Sequence, residues 1–297
     1  MEDYLIRGIS HNGHIQAFGA LSTNLVNQAV AHHDLWPVAT AALGRTMTVT
    51  AMMASRMKEE NGKIEVSIDG QGPLGKILVQ AKPNGCVKGY VDNPHVNYEL
   101  YPGGGLNVGK AVGTDGSLKV TKDIGLKQPF VGDVALKTGE IGDDFAYYFM
   151  QSEQTPSIVS LGVLIDTDNS VKAAGGLVIQ LMPGHTEEDI VYLENALSKM
   201  RPISSLLDEG KTCKEILDEL FTDYKFMDDH DVRFVCDCSK QRFRAALTTI
   251  KLEDLIDLYE KDKHIEVKCE YCNKKYEFDE DELNTIITYV QNQRLGN

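Results

Sequence analysis

Hydrophobic residues near the N-terminus take up a helical spacing after a strand-like start. Residues 1–20 alternate only partially between apolar and polar positions, and we expect them to form one edge strand. After Ser22, which can cap a helix, apolar side chains recur every three or four positions. Pro37 stands in the first turn of a second stretch with the same spacing, which runs to Asn61-Gly62. The pattern predicts a strand followed by two helices.

From Lys63 onward the hydrophobic repeat shortens to two, as expected for strands with one buried face. Turns that contain glycine and proline separate the segments with this repeat. The later predicted strands cover residues 76–81, 86–92, 118–122, 134–138, 157–166 and 171–182. A helix is predicted over 143–152, where acidic residues precede an apolar run. Residues 1–182 are therefore predicted to form an α+β core domain with a large mixed or antiparallel sheet.

Residues 183–232 return to the helical spacing. Two sequences that begin at Thr186 and Thr212 place an acidic residue three positions after the threonine, which resembles a capping box. Residues 203–207 are predicted as a short turn, and residues 228–231 as an exposed acidic joint. The segment is too short to enclose a core, so we predict an amphipathic helical linker that lies on another part of the chain.

Residues 233–297 are predicted to form a small third domain around two cysteine pairs. The first pair is Cys236-Asp237-Cys238, and the second is Cys269-Glu270-Tyr271-Cys272. Helical spacing predicts two helices between the pairs, and short alternating stretches predict a strand on each side of the second pair. A final helix is predicted after Asp279, which can cap it.

The spacing of these four cysteines indicates a metal site. A Cys-x-x-Cys pair presents two thiolates at about the separation that a tetrahedral ion needs, with Zn–S distances near ~2.3 Å. Two pairs that flank a helical spacer are typical of a closed zinc site with four sulfur ligands, whereas four unrelated thiols are the alternative. The Cys-x-Cys half departs from ordinary zinc ribbons and points toward redox chemistry. Cys86 and Cys213 are interpreted as incidental thiols.

The charge distribution narrows the possible functions. The net charge is −14, and residues 187–297 carry 26 acidic and 16 basic residues against 18 and 14 in residues 1–186. An acidic C-terminal third disfavours nucleic-acid binding, which needs a basic face. We find no signal-peptide pattern and no apolar run of about 18 residues, so we expect neither export nor a membrane span. In the reducing cytoplasm that this implies, paired cysteines bind metal or react with oxidants.

One glycine-rich stretch matches the first seven positions of a phosphate-binding loop, namely residues 104–110. Ala111 stands where a serine or threonine would reach the magnesium ion. Gly113 and Gly116 follow, so we do not expect a helix to begin there and to point at a phosphate. We interpret the stretch as a turn between strands and predict no nucleotide binding.

The two cysteine pairs, at this spacing and near the end of a chain of this length, resemble those of the heat-shock protein 33 family of redox-regulated holdase chaperones. The resemblance covers essentially the whole chain. Further stretches that resemble the family are Ala42-Leu43-Gly44-Arg45-Thr46, Gly89-Tyr90-Val91, Gly139-Glu140-Ile141, Tyr147-Tyr148-Phe149, Ser152-Glu153-Gln154-Thr155-Pro156-Ser157, Gly175-Gly176 and Gln180-Leu181-Met182-Pro183-Gly184.

The resemblance implies a core domain, a metastable helical linker and a zinc domain. It implies that Cys236, Cys238, Cys269 and Cys272 hold one Zn²⁺ ion in a reduced, inactive state. It also implies that oxidation pairs Cys236 with Cys238 and Cys269 with Cys272, which releases the zinc. The activated protein is expected to bind unfolding proteins without ATP and to dimerise. No enzymatic activity is expected.

Two other classes of protein fit the residues less well. In a zinc hydrolase the metal keeps an open position for water, which four sulfur ligands would not leave. In a thioredoxin-like oxidoreductase the Cys-x-x-Cys pair opens a helix after an early strand, which Cys269 and Cys272 do not. A zinc-ribbon nucleic-acid binder is disfavoured by the acidity of the chain.

Overall fold

The computed structural model describes residues 2–97, 100–102 and 104–295, and the chain divides into two compact units, residues 1–235 and 236–297. None of the helices within the described ranges is long and apolar enough to cross a membrane. The α+β fold class is confirmed. The predicted domain boundaries at 182 and 232 stay a prediction, and Met1, Gly296 and Asn297, which end the predicted domains, lie outside the described residues.

The helices and strands have the following bounds. In the first unit they are β1 (Tyr4–Ser10), β2 (Ile15–Leu21), α1 (Thr23–His33), α2 (Pro37–Ala54), β3 (Lys63–Asp69), β4 (Ile77–Ala81), β5 (Cys86–Val91), α3 (Val108–Val112), β6 (Ser117–Asp123), β7 (Phe130–Ala135), α4 (Ile141–Ser152), β8 (Ser157–Ile165), β9 (Val171–Leu181), α5 (Glu187–Leu197), α6 (Ile203–Asp208), α7 (Cys213–Leu220), β10 (Lys225–Asp231) and β11 (Arg233–Phe234). In the second unit they are α8 (Lys240–Leu247), α9 (Leu252–Asp262), β12 (Ile265–Lys268), β13 (Lys275–Phe278) and α10 (Glu280–Leu295).

The first unit contains two sheets. One has five antiparallel strands in the order β10-β1-β2-β9-β8. The other has six in the order β11-β5-β4-β3-β6-β7, and it is mixed because β11 runs parallel to β5. Strand β7 lies mostly before the range 134–138 that alternation predicted, because its exposed Phe130 and Val131 hide the pattern.

Helix α2 packs against strands of both sheets. Sixteen of its eighteen residues are buried, so it is a core helix with no solvent face of any width. Buried threonines in such a helix need partners for their hydroxyl groups, and Thr46 and Thr50 donate to the carbonyl oxygens of Ala42 and Thr46, one turn earlier. The helix ends at Ala54, before the predicted stop at Asn61-Gly62.

The prediction of one edge strand over residues 1–20 is wrong. The chain turns at His11–Gly13 and forms two inner strands, β1 and β2. Two residues of this turn adopt the left-handed backbone region, His11 at φ 51° and Gly13 at φ 88°. Only glycine enters that region without steric cost, and the Asn12-Gly13 dipeptide is a sequence signal for a hairpin turn that the prediction did not use.

Helices α5, α6 and α7, here called the helical segment, cover one face of the five-stranded sheet. Both predicted capping boxes are present, at the starts of α5 and α7, and the predicted turn at 203–207 is the helix α6. The shared core contains side chains from the sheet and from the helices: Ile6, Ile15, Ala17, Leu21, Ala173, Leu177, Ile179, Leu181, Leu193, Ile203, Leu206, Leu207, Cys213, Ile216, Leu217 and Phe221.

The β1–β2 turn also binds the two ends of the helical segment. Asp189, in the first turn of α5, accepts a hydrogen bond from His14 Nδ1 at 2.9 Å if that nitrogen carries a proton, and it lies 3.4 Å from His11 Nε2. Asp223, just after α7, accepts from the His11 amide at 2.8 Å and from the Ser10 hydroxyl. Hydrogen bonds from Thr186, first from its amide, lower the pKa of Asp189 to about 2.

The predicted acidic joint at 228–231 is also wrong, and with it the helical character of the end of the linker. Residues 225–231 form β10, which pairs with β1 from Tyr4↔Asp231 to Ile9↔Lys225. Arg7 on β1 binds the Asp228 carboxylate through two nitrogens. The charge run is therefore part of an edge strand, in which exposed positions alternate with partly buried ones.

The second unit is small. Two helices, a hairpin and a final helix enclose one core, made of Leu247, Leu255, Tyr276, Phe278, Leu283, Ile286, Ile287 and Val290. Asp279 caps α10 as predicted, since its carboxylate accepts from the Glu282 amide at 2.9 Å.

Candidate metal centre

The first cysteine pair lies on the irregular stretch that leads into α8. Ser239 caps this helix, because its hydroxyl oxygen accepts a hydrogen bond from the Arg242 amide at 3.3 Å. Asp237, between the two cysteines, forms a 2.9 Å ion pair with Arg242. The helix start thus fixes the backbone on which Cys236 and Cys238 stand.

The second pair occupies the turn of the β12–β13 hairpin. The amide of Cys269 donates to the Lys274 carbonyl at 2.9 Å, and the Cys269 carbonyl accepts from the Asn273 amide at 2.8 Å. Asn273 takes a left-handed conformation with φ 58°, which asparagine tolerates better than most residues. This tight turn aims the side chains of Cys269 and Cys272 to one side.

The four predicted ligands come together. All four Sγ atoms lie within 4.8 Å of one another, and within the described residues they are the one group of His, Cys, Asp or Glu side chains with metal-site geometry. Cys236 Sγ is 3.6 Å from Cys269 Sγ, and Cys238 Sγ is 3.4 Å from Cys272 Sγ. A tetrahedral zinc ion with Zn–S bonds of about 2.3 Å separates its sulfurs by about 3.8 Å. Every cysteine is a free thiol, so these separations are non-bonded contacts.

The electrostatics of the cluster favour a bound cation. Burial, and then hydrogen bonding with neighbouring thiols, raises the pKa of Cys236 and of Cys272. Burial also opposes the thiolate of Cys238, but hydrogen bonds from Tyr276 and the other cysteines outweigh it and lower the pKa of Cys238. Several thiolates this close repel one another. A positive ion among the sulfurs is what would allow all four to be anionic, so the donor set fits a metal such as zinc.

Tyr276 on β13 is a neighbour of the cluster that the sequence did not reveal. Its Oη lies 3.2 Å from Cys238 Sγ and 3.1 Å from the Cys238 carbonyl oxygen. The hydrogen bond with Cys238, followed by burial, raises the pKa of Tyr276 to about 12, so the hydroxyl keeps its proton at neutral pH. Alternation identified Tyr276 as a strand residue, but no local pattern shows which strand residue reaches the first cysteine pair.

The two remaining cysteines lie outside the cluster. Cys86 is half-buried at the start of β5. Cys213 is completely buried at the start of α7, where its amide donates to the Tyr4 hydroxyl at 3.0 Å. Burial raises the pKa of Cys213 to about 12, which keeps this thiol protonated and unreactive.

The stretch that resembles a phosphate-binding loop does start a helix, contrary to expectation. Helix α3 begins at Val108, but it has only five residues. The Gly109 amide donates to Glu140 Oε1 at 2.9 Å, and Arg45 donates to Glu140 Oε2 at 2.8 Å. A carboxylate of the chain itself therefore occupies the position that an anion would take.

A family model, two curated relatives and one solved structure each match nearly the whole chain. The family model described as Hsp33 protein matches residues 3–279. The 33 kDa chaperonin of Clostridioides difficile is 47% identical over 289 residues, which cover 97% of this chain and 99% of the relative. The 33 kDa chaperonin of Bacillus velezensis is 45% identical over 285 residues, which cover 96% and 98%. The crystal structure of the 33 kDa chaperonin (heat shock protein 33 homolog) of Thermotoga maritima matches with a TM-score of 0.92 at 31% identity, covering 98% of this chain and all of the other.

Proposed function

The chain belongs to the Hsp33 protein family of chaperones, and from that premise we propose that it is a redox-regulated, ATP-independent holdase. In the reduced state Cys236, Cys238, Cys269 and Cys272 would hold one Zn²⁺ ion, which supplies a charge that keeps four thiolates together. The single observation that carries this proposal is the convergence of their sulfurs within 4.8 Å in a unit with a small core.

The expected free energies from core packing and from zinc binding support a metal-dependent fold for residues 236–297. A core in a domain of this size rarely contributes more than about 3–5 kcal/mol. Structural zinc contributes on the order of 10–16 kcal/mol in small modules. Loss of the four thiolate ligands would therefore remove the larger part of the stability of the second unit.

Oxidation is the proposed trigger. We propose that it joins Cys236 to Cys238 and Cys269 to Cys272, as the family resemblance implies, and a disulfide sulfur is no longer a thiolate ligand. A bond that closes so short a loop contributes at most about 2 kcal/mol by loop entropy, so it does not replace the metal. Such bonds are strained and easily reduced, which makes the switch reversible in the cytoplasm.

Unfolding of the second unit would then free the helical segment. Its apolar side, including Leu193, Leu217 and Phe221, is buried on the sheet in the closed state. Exposed together with the sheet face, these side chains would bind unfolding client proteins, and the net charge of −14 would keep the open state in solution. We expect the active form to be a homodimer, and we expect neither a nucleic acid nor a membrane to be a partner.

The proposal is tested on the full-length protein with and without hydrogen peroxide. Zinc content, client aggregation followed by light scattering, and hydrogen exchange are measured on the same samples. We expect one zinc per chain before oxidation, and after it free zinc, suppressed aggregation and lost protection across residues 183–232. Unchanged protection there after zinc release would contradict the coupling between the two regions.

A further inference from the structure

The hydroxyl group of Tyr276 is held against one of the four sulfurs by packing. The side chain is 8% exposed, and its ring lies 5.1 Å from the ring of Phe243, centroid to centroid. Lys274 Nζ lies 5.4 Å from the centre of the same ring. From this fixed ring the hydroxyl reaches both Cys238 Sγ, at 3.2 Å, and the Cys238 carbonyl oxygen, at 3.1 Å.

A tyrosine hydroxyl has one proton to donate, and here both possible acceptors belong to Cys238. An anionic sulfur is the stronger acceptor, because hydrogen bonds to ionised groups are about twice as strong as those between neutral groups. Donation to a thiolate draws electron density from the sulfur lone pair and fixes the direction of the side chain. Hydrogen-bond partners of metal ligands typically act in this way.

We propose that Tyr276 is a positioning residue that sets the reactivity of Cys238: its hydrogen bond favours Cys238 as a metal ligand and slows the attack of this sulfur on peroxide. The inference rests on the proposed function, because it assigns a further residue to the same site. It concerns the rate at which the protein responds to an oxidant.

The reaction that Tyr276 would slow consumes one hydrogen peroxide for each disulfide. The Cys238 thiolate attacks a peroxide oxygen, the O–O bond breaks, and a sulfenic acid and hydroxide form. The thiolate of Cys236 then displaces hydroxide from that sulfur to form the S–S bond. Two electrons pass from the sulfurs to the peroxide, and two protons convert the two hydroxides to water. The hydrogen bond from Tyr276 lowers the electron density of the attacking sulfur, so it slows the first step.

Tyr276→Phe removes only the donor. The matched control is Tyr259→Phe in the same unit, because the Tyr259 hydroxyl is also hydrogen-bonded, donating to Glu280 at 2.9 Å and accepting from Asn284 at 3.1 Å. Zinc-loaded full-length proteins are mixed with hydrogen peroxide, and released zinc is followed with a coloured chelator. We expect release about tenfold faster for Tyr276→Phe and unchanged for Tyr259→Phe.

Cobalt(II) in place of zinc gives a readout that a purely structural role would not change. Its sulfur-to-cobalt charge-transfer bands report the electron density on the thiolates. We expect them at lower energy in Tyr276→Phe and at the wild-type position in Tyr259→Phe. Should Tyr276→Phe fold poorly, site-specific replacement of Tyr276 by 3-fluorotyrosine strengthens the donor instead, and zinc release should then be slower than in the wild type.

The outcomes separate this inference from the function on which it rests. Wild-type release kinetics and wild-type charge-transfer bands in Tyr276→Phe would overturn the role of Tyr276 alone. A 3-fluorotyrosine protein that releases zinc as fast as the wild type would do the same. Failure of the wild-type protein to hold zinc or cobalt would instead overturn the proposed function.

Discussion

The helical segment and the second unit both consist of short amphipathic helices, but their apolar sides meet different surfaces. The core that contains the segment has sixteen buried side chains, half of them from the strands β1, β2 and β9. Among the described residues, the core of the second unit has eight buried side chains around its own hairpin. One set of helices packs on the five-stranded sheet, and the other packs on a two-stranded hairpin beside the cysteine cluster, on which its stability depends under the proposed function.

The helical segment and the second unit also differ in their polar contacts. The helical segment has two complete capping boxes and hydrogen bonds from the β1–β2 turn to Asp189 and Asp223. The polar centre of the second unit is four sulfurs, which repel one another once ionised and need a cation. Packing and capping should therefore hold the segment on the sheet while the second unit is folded, and metal should decide whether the second unit is folded.

Removing one sulfur ligand should give the largest effect. We expect Cys269→Ser to lower zinc affinity steeply and to cost the second unit most of the metal contribution, on the order of 10 kcal/mol. Hydrogen exchange should show loss of protection across 240–290 and, through the proposed coupling, across 183–232, with the strands before residue 183 still protected. Cys86→Ser, a thiol outside the cluster, should behave as the wild type. Full protection of the second unit in Cys269→Ser would break the comparison.

The stability of the two regions should depend on pH in different ways. Protons compete with the metal for thiolates, so we expect zinc and the fold of the second unit to be lost first as the pH falls. The pKa of Asp189 is lowered from 3.8 to about 2 in the folded state. Its contribution is therefore complete above about pH 4 and is lost as the pH falls toward 2.

The check is a pH series of amide NMR spectra with zinc analysis, on the wild type and on Asp189→Asn. In the wild type, signals from α8–α10 should collapse as zinc is lost, and signals from α5 should weaken with them and then decrease further between pH 4 and 2. In the variant, the further loss of α5 between pH 4 and 2 should disappear, because the shifted carboxyl group is absent. Signals from α5 that keep their full intensity after zinc loss would contradict the proposed coupling between the two regions.

A substitution that creates a cavity under the helical segment should give the next largest loss of stability. Leu217 is fully buried against the sheet, and Leu217→Ala should cost about 2–5 kcal/mol. We expect faster hydrogen exchange in α5–α7 and some client binding by the reduced protein, with a smaller loss of zinc affinity, because the proposed coupling acts in both directions. Val191→Ala, at an α5 position that is 53% exposed, is the control and should change little. Faster exchange in α5–α7 with unchanged zinc affinity in Leu217→Ala would contradict that coupling.

The parts of this comparison that the sequence predicted are those that local spacing encodes. The cysteine pairs and the capping boxes at Thr186 and Thr212 occupy a few consecutive positions each, so their geometry follows from the backbone of one turn. The role of the four cysteines as metal ligands stays a prediction, although their sulfurs converge.

Contacts between distant residues were not predictable in this way. Strand β10 looked like a solvated acidic run because its partner is β1, more than two hundred residues away, and Arg7 neutralises Asp228 there. The Tyr276 contact with Cys238 likewise joins two turns whose relative position only the folded core fixes. The short helix α3 was missed because glycines flank it, although the side chain of Asn107 caps it.

Removal of a helix cap should give the smallest loss of stability. It also gives the most direct comparison, because the same change can be made in the helical segment and in the second unit. Thr212 caps α7, accepting from the Glu215 amide at 3.2 Å, and Ser239 caps α8, accepting from the Arg242 amide at 3.3 Å. Replacing either residue by alanine should cost about 1 kcal/mol of local stability.

In Thr212→Ala that loss should appear directly as about fivefold faster exchange in α7, because no metal ligand lies on this helix. In Ser239→Ala of the zinc-loaded protein, opening of α8 must also break the metal cluster, so the same loss should leave exchange in the second unit too slow to measure. After removal of zinc by a chelator, exchange in the second unit should be fast in both the wild type and Ser239→Ala, because the unit is then unfolded. A Ser239→Ala protein that exchanges rapidly with zinc bound would mean that packing, and not the four sulfurs, holds the second unit together.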